Sequence, residues 1–388
     1  MYSGNLRALT IFTFFSLVFS HAGSGQTFLD PGHAIGPVVS AGKHFQQVLS
    51  DRGISPGATM IYDWSKSIDG QDSGTGFGRQ LLDAGLAFDG KKLWGITGSA
   101  GMVRLRSHGE SFGDDWAHEE QIVSNIDASP RTTLYEAWIE QRLLADKLRL
   151  KAGKIDANTE FAVVTTASDF LNSSMGYSPT IVAFPSYPEP KPGFNAFVHT
   201  TATSAFGWGM FETTTGGTLM IFEPSKTWHV GQTEKQGRIS GGYWRLGGNV
   251  ARFGGGTSAG TQGFYSVLEQ VIWRNSDTRC VSTFFQFGAA DGQVSPFERH
   301  FSAGAVLQGL FRRRLHDSIG IAGTWVRSSS APDKDLDAPS ELIFESYYKV
   351  ALSSHLSLVQ DFQFIHHPDG LRSYPDCPIL TPRLVASF

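Results

Sequence analysis

Apolar and polar residues alternate along short segments from Pro56 onward, and clusters of Gly, Asp, Ser and Pro separate these segments. A period of two is typical of β-strands, because successive side chains point to opposite faces of a sheet. The pattern predicts about 16 strands, the first over Ala58–Ser65 and the last over Leu380–Phe388. Helical patterns are scarce, and one short helix is expected over His44–Asp51.

The connections between these strands alternate in length. Short links such as Ala145–Asp146 and Ser204–Ala205 lie between long ones such as Gly109–Arg131 and Ile155–Phe194. Single-chain bacterial barrels have an even strand number, short periplasmic turns and long outer loops. The chain is therefore predicted to be all-β, a transmembrane antiparallel up-and-down β-barrel with both ends in the periplasm. The link Thr227–Gly237 is longer than this parity allows, which suggests that the flanking strands extend into it.

The faces of single strands predict which side chains meet lipid. In the last strand, Leu384 and Phe388 share one face, while Arg383 and Ser387 share the other. An arginine on the lipid face at mid-membrane costs about 2 to 4 kcal/mol, so cationic faces are expected to line the lumen. By the same argument, Arg104 and Arg106 are predicted to face the lumen, and their neighbours Val103 and Leu105 are predicted to face lipid.

The segment Thr132–Leu144 divides in the same way. Its polar face carries Glu136, Trp138, Glu140 and Arg142, and the opposite face is predicted to meet lipid and comprises Tyr135, Ala137, Ile139 and Leu143. An aromatic girdle at the membrane interfaces is expected to include some of the aromatic residues in or near strands. These are Tyr62, Trp64, Trp94, Tyr243, Trp244, Trp273, Trp325, Tyr347 and Tyr348.

Composition supports an aromatic-rich β protein and limits its partners. Aromatic residues make up 12% of the chain and charged residues 18%, with 44 Gly and 29 Phe. A formal net charge of -4 provides no basic field for phosphate backbones, so no nucleic-acid partner is expected. Cys280 and Cys377 lie in no metal-ligand spacing, so no metal and no cofactor are expected, and whether they pair is left open.

The first residues have the pattern of an export signal. Arg7 precedes the largely apolar stretch Ala8–Phe19, and Ser20-His21-Ala22 has the small-x-small spacing of a cleavage site. We interpret residues 1–22 as a signal peptide, 23–55 as an N-terminal periplasmic segment and 56–388 as the barrel. Together with the export signal, the final Phe388 resembles the signal that outer-membrane barrels present to the barrel assembly machinery. The predicted location is the bacterial outer membrane, in contact with its lipid.

Several stretches resemble the carbohydrate-selective porins of the OprB family. They are LYEAWIEQ from Leu134, LKAGKIDANTEFA from Leu150, FLNSSMGYSPT from Phe170 and FPSYPEPKPGFN from Phe184, with weaker similarity continuing to the end. The resemblance implies a 16-stranded barrel that passes small-molecule sugars by diffusion. A monomer and a homotrimer both remain compatible with the sequence.

The long link Ile155–Phe194 is the predicted constriction. Its length, aromatics and prolines favour an ordered functional loop, and we expect it to fold into the barrel with Asp169, Phe170 and Asn172 at the constriction. The alternative is a lid over the outer mouth. The pore or sugar-binding candidates are Arg104, Arg106, Glu136, Trp138, Glu140 and Arg142, whose polar groups and aromatic face suit a sugar; each is also compatible with an ordinary lumen residue.

Three other functions remain as alternatives. A general diffusion porin would keep the barrel without sugar selectivity. An outer-membrane hydrolase would share the export signal and strands, although none of the histidines lies in an HExxH pair or another recognisable catalytic context, and no enzyme is expected. An exported soluble β protein of the lectin type would explain the aromatic and polar residues without a membrane.

Overall fold

The computed structural model describes residues 46–70, 73–109, 112–113, 120–231, 235–276, 278–329 and 339–388. In this part of the chain, sixteen antiparallel strands close into one barrel. In chain order they are β1 Ile54–Ser67, β2 Gly76–Asp89, β3 Ser99–His108, β4 Arg131–Leu143, β5 Leu148–Ile155, β6 Lys191–His199, β7 Ser204–Glu212, β8 Thr218–Val230, β9 Lys235–Gly247, β10 Thr261–Ser276, β11 Arg279–Ala290, β12 Phe297–Gln308, β13 Ser318–Ser328, β14 Ser340–Ala351, β15 Leu356–His366 and β16 Cys377–Ser387.

Each strand pairs with its neighbours in sequence, and β1 also pairs with β16 to close the barrel. At this seam Asp63 lies opposite Arg383, and Arg383 Nε and Nη2 donate to the Asp63 carboxylate over 2.7 Å each. Closure leaves no sheet edge with unpaired backbone groups, which a barrel in hydrocarbon requires. The predicted up-and-down barrel is confirmed.

The alternation of connection lengths is confirmed in part. The longest connections belong to one end of the barrel, the long-loop end, whose connections span residues 68–75, 109–130, 156–190, 213–217, 248–260, 291–296, 329–339 and 367–376, but 213–217 and 291–296 are shorter than 90–98 and 309–317 at the other end. The other end, the short-turn end, carries both terminal strand ends, and in barrels of this kind it faces the periplasm. The excess length of Thr227–Gly237 belongs to strands, because β8 continues to Val230 and β9 begins at Lys235.

Short elements outside the barrel wall are few. Residues 46–51 are helical, inside the segment where a short helix was expected, while residues 1–45 with the expected export signal lie outside the described residues. The helix Gly90–Trp94 lies in the turn between β2 and β3, and its Lys92 Nζ donates to Ser50 O over 2.8 Å. Small strands Phe112–Gly113, Val250–Ala251 and Thr257–Ser258 lie at the long-loop end. In the described ranges, no helix has the length and hydropathy needed to cross a bilayer.

The outer face of the strands is apolar, as predicted. Ile139 is 65% exposed, Ile321 62% and Leu384 42%, whereas the inward-facing Arg383 is 6% exposed. Two of the nine girdle candidates lie outside any girdle, because Trp244 and Tyr347 are 0% and 2% exposed and point into the lumen. Their strands carry large side chains on both faces, so alternation alone did not distinguish lumen from lipid.

The interior is packed asymmetrically. The connection 156–190, here named the constriction loop, lies inside the barrel, where Phe161, Phe170, Leu171 and Met175 are all at most 1% exposed. Its apolar side chains contact the inner wall in two clusters, one with Phe211, Leu219, Ile221, Trp244 and Tyr265 and the other with Phe284 and Tyr347. The loop is therefore folded inward, as expected, and it leaves open space along β1–β4.

Candidate functional site

A chain of three cavities follows the inner wall formed by β1–β4. The first, about 510 Å³, lies between this wall and the constriction loop, and Ile61, Leu81 and Arg106 line its wall side. The second, about 330 Å³, is lined by the next inward positions toward the short-turn end, including Thr59, Asp83 and Arg104. The third, about 390 Å³, shares Ser55 and Ala87 with the second and reaches Arg142. The first and second cavities lie at successive inward positions of β1–β3, so the three cavities together follow one side of the lumen.

Charged side chains along this route are joined by hydrogen bonds and ion pairs. Arg104 Nη1 donates to Glu136 Oε2 over 2.7 Å, and its Nε and Nη2 donate to Asp83. Arg106 Nε donates to the same Asp83 carboxylate over 2.6 Å. Nearer the long-loop end, Arg79 Nε lies 3.0 Å from Asp127 Oδ2. The two arginines therefore share the Asp83 carboxylate, Arg104 also binds Glu136, and the network fixes their guanidinium groups at the wall of the cavities.

Neutral polar and aromatic groups complete the first cavity. Its aromatic lining includes Tyr135, Phe170, Tyr177 and Tyr187, and its amide and hydroxyl lining includes Asn125, Asn158, Ser168, Ser173 and Ser186. Burial raises the pKa of Tyr177 to about 12 and raises that of Tyr187 above its usual range. Both loop tyrosines therefore keep their hydroxyl proton at neutral pH and can donate a hydrogen bond.

Glutamates on the opposite wall hold the constriction loop by its backbone. Glu223 on β8 accepts from Ala162 N over 2.9 Å, and Glu269 on β10 accepts from Thr166 N over 2.7 Å. Glu345 on β14 accepts from Leu171 N over 2.5 Å and from Asn172 N over 3.2 Å. A loop inside a barrel must find partners for its backbone N–H groups, and these three inward carboxylates supply them.

A second loop also enters the lumen. Residues 120–130 of the β3–β4 connection contact the wall through Glu341, which accepts from Glu120 N and Gln121 N over 2.9 Å each. The two loops contact each other, because Asn125 Nδ2 donates to Phe170 O over 3.1 Å. The long-loop side of the first cavity is thus bounded by two mutually bonded loops. Sequence reasoning identified this connection as long but did not predict its insertion.

Comparison with known proteins places the chain in a family. The model of the carbohydrate-selective porin, OprB family, matches residues 79–388. The chain belongs to this family. Among curated proteins, none matches the sequence significantly.

Solved structures show the same fold. The high-pH structure of OprB from Pseudomonas putida superposes with a TM-score of 0.80 at 17% identity, over 89% of this chain and 97% of that chain. The low-pH structure of the same protein superposes with a TM-score of 0.65 at 16% identity, over 90% of this chain and 97% of that chain. OccK8 (OprE) of Pseudomonas aeruginosa superposes with a TM-score of 0.51 at 8% identity, over 86% of this chain and 98% of that chain. The chain is an outer-membrane carbohydrate porin of the OprB family, and family and fold together indicate a channel rather than an enzyme.

The pore candidates of this porin do not form one group. Arg104, Arg106 and Glu136 lie in the shared network described above, and Arg142 lines the third cavity with its side chain 53% exposed. Glu140 accepts from Arg142 Nε over 3.0 Å and from Arg149 Nη1 over 3.2 Å. Asp83, which joins the two arginines, and Arg149 were not among the sequence candidates. Both lie at inward positions, and strand alternation could have found them.

Trp138 lies apart from the route. Lys151 Nζ lies 3.8 Å from the centre of its indole ring, and the ring packs against the apolar cluster that contains Phe161. Trp138 does not line any of the three cavities. Within the described residues its indole Nε1 is buried without a hydrogen-bond partner. The structure therefore gives Trp138 a packing role away from the three cavities.

Tyr135 was assigned to the wrong face. It is 0% exposed, the Arg106 guanidinium lies 3.5 Å from its ring centre, and its hydroxyl donates to Asp156 at the start of the constriction loop. The cause is a register shift between β3 and β4, where Arg104 pairs with Glu136 and Leu105 pairs with Leu134. One residue is bulged out of the ladder, so the alternation that predicted its face is interrupted there.

The constriction candidates contact the wall of β12–β15. Asp169 accepts from Lys349 Nζ over 2.6 Å and from Ser318 Oγ over 3.3 Å. The Phe170 ring packs edge-on against Tyr347, with ring centres 4.9 Å apart. Asn172 Nδ2 donates to Gln363 Oε1 over 3.2 Å, and Phe170 and Asn172 both border the first cavity.

Other chemistry of the site is limited. Cys280 and Cys377 are both buried and form no disulfide with each other, which answers the open question of their pairing. In the described ranges, no group of three or more His, Cys, Asp or Glu side chains could hold a metal ion.

Proposed function

We propose that sugars cross this porin along the route lined by β1–β4, and that the first cavity is the selective step. The observation that carries the proposal is its lining, where the partly exposed Tyr177 and Tyr187 lie beside amides and hydroxyls. A sugar needs hydrogen-bonding groups to replace its water and apolar faces to cover its C–H surfaces.

The arginine and carboxylate network gives the route a second property. Because Asp83 and Glu136 neutralise much of the charge of Arg104 and Arg106, a neutral solute meets fixed dipoles without a strong field of one sign. We assign Arg104, Arg106 and Glu136 to sugar contact on this basis, and we place Glu140 and Arg142 at the exit toward the short-turn end. Asp169, Phe170 and Asn172 then act as positioning residues that fix the width of the first cavity.

The terminal residue suits a role in assembly. Phe388 continues the lipid-facing row of Leu384, and its backbone exchanges hydrogen bonds with Ala58, N to O over 2.8 Å and O to N over 3.2 Å. We propose that this last strand is recognised by the barrel assembly machinery before β1 closes on it. Residues 1–22 are proposed to direct export to that machinery.

Liposome swelling tests the proposed function. Purified, refolded protein in liposomes is expected to admit monosaccharides faster than amino acids of equal size, because the first cavity favours neutral polyols over zwitterions. Liposomes without protein provide the baseline. Equal rates for both solute classes would show a general diffusion porin and contradict sugar selectivity. Absence of swelling with any solute would contradict a channel function altogether.

A further inference from the structure

A short basic turn projects from the short-turn end, outside the sugar route. This arginine turn comprises residues 309–317 between β12 and β13 and contains three consecutive arginines, Arg312, Arg313 and Arg314. None of its residues lines the three cavities described above. The sugar route therefore gives no reason for three adjacent cations at this position.

One arginine of the turn has a structural partner. Arg314 Nε and Nη2 donate to the two oxygens of Asp317 over 2.5 and 3.2 Å, and Asp317 also accepts from Tyr348 Oη over 2.6 Å and Ala351 N over 3.0 Å. The hydrogen bond from Arg314 lowers the pKa of Asp317 to about 2, so this carboxylate is ionised at neutral pH. The Asp317 carboxylate therefore accepts hydrogen bonds from Arg314, Tyr348 and Ala351.

The other two arginines extend away from the barrel. Arg312 and Arg313 are exposed, and among the described residues neither has an ion-pair or hydrogen-bond partner. Arg279 on β11 lies beside the turn, because its Nε donates to Gly309 O over 3.1 Å. Two unpaired guanidinium groups, with a third nearby, form a site that favours a phosphate group.

Apolar side chains lie directly beside these cations. Leu310 is 36% and Phe311 53% exposed, and β13, which follows the turn, has an outward-facing row that includes Ile319 and Ile321. This row meets the hydrocarbon core, so the arginine turn lies where the core gives way to headgroups. A ligand at this place would touch hydrocarbon and guanidinium together.

We propose that the arginine turn binds an anionic phospholipid of the leaflet at the short-turn end. Arg312 and Arg313 hold the headgroup phosphate, and Leu310 and Phe311 contact the acyl chains. Arginine clusters at a membrane surface attract anionic lipid electrostatically, and the apolar pair places the lipid phosphate beside the guanidinium groups. The site is independent of the sugar route and does not rest on the proposed function.

Native mass spectrometry of the detergent-solubilised protein tests this site. The protein is titrated with phosphatidylglycerol and, separately, with zwitterionic phosphatidylcholine. The parent chain is expected to retain phosphatidylglycerol preferentially, and the double variant Arg312→Gln/Arg313→Gln is expected to bind it about tenfold more weakly. The matched control is Arg245→Gln/Arg252→Gln, which removes two exposed arginines nearer the long-loop end and is expected to bind as the parent does.

Two further measurements separate the ligand classes. Phe311→Ser is expected to weaken phosphatidylglycerol binding while leaving all three arginines, and inorganic phosphate is expected not to displace the lipid. Equal binding of both lipids, parent-like binding by Arg312→Gln/Arg313→Gln, or an equal loss in the control pair would overturn the proposal. Displacement by inorganic phosphate would assign the site to free phosphate instead of lipid. Sugar entry in liposomes is expected to be unchanged in the double variant, so failure of this site is distinct from failure of the channel function.

Discussion

The substitution Glu345→Ala is expected to release the constriction loop from the wall and raise the single-channel conductance several-fold. Glu345 accepts hydrogen bonds from the backbone N–H groups of Leu171 and Asn172 inside the lumen. Leaving a buried backbone donor without its acceptor costs about 1 to 3 kcal/mol, and Glu345 serves two such donors, so losing it destabilises the inserted loop by about 2 kcal/mol or more. Planar-bilayer recordings measure the conductance, and liposome swelling measures entry of sugars too large for the parent channel.

Two variants serve as controls for this experiment. Glu345→Gln keeps one acceptor oxygen and is expected to give an intermediate conductance. Glu212→Ala removes an exposed carboxylate at the long-loop end of β7 and is expected to leave the conductance unchanged. Heat-modifiable mobility on a gel verifies that each barrel is folded. A folded Glu345→Ala barrel with parent conductance would show that the loop position does not depend on this carboxylate.

The double substitution Arg104→Gln/Arg106→Gln is expected to shift the channel toward cations. Removing both guanidinium groups leaves Asp83 and Glu136 without these cationic partners on the wall of the route. A unit charge about 6 Å from a passing ion contributes about 0.7 kcal/mol at the permittivity of water, so two charges alter the anion-to-cation permeability ratio about tenfold after screening. The reversal potential across a salt gradient measures this ratio.

Arg245 provides the matched control for that pair. It is exposed on the outer face of β9, so Arg245→Gln is expected to leave the reversal potential unchanged. An unchanged reversal potential in the folded double variant would remove Arg104 and Arg106 from the pore lining.

The barrel could be predicted from sequence because lipid enforces strict alternation on strands. A charged side chain on the outer face is costly, so the positions of Arg104, Arg106 and Arg383 identified the face of each strand that lines the lumen. The prediction failed where a second influence interrupted this rule. The bulge at Tyr135 turns this side chain to the other face of the strand. The large apolar side chains Trp244 and Tyr347 pack against the constriction loop inside the barrel and not against lipid.

The interior was less predictable, because its contacts join residues far apart in sequence. Length, aromatics and prolines indicated that the link Ile155–Phe194 forms a functional loop, but the wall residues that hold it could not be identified. A lumen glutamate such as Glu345 has the same local pattern whether it meets water, an arginine or a backbone N–H group. The insertion of residues 120–130 and the covering of Trp138 by Lys151 depend on the same kind of long-range packing.

The sugar route itself can be tested by blocking it. In a background with Cys280→Ser and Cys377→Ser, Ser168→Cys places a thiol on the loop side of the first cavity. Thr215→Cys places an equally exposed thiol in the connection between β7 and β8, away from that cavity, as the matched control. Monosaccharide entry into liposomes is then measured before and after labelling with a bulky methanethiosulfonate reagent. The proposed route predicts that labelling abolishes most entry through the Ser168→Cys channel and spares the Thr215→Cys channel, whereas full entry through a completely labelled Ser168→Cys channel would contradict it.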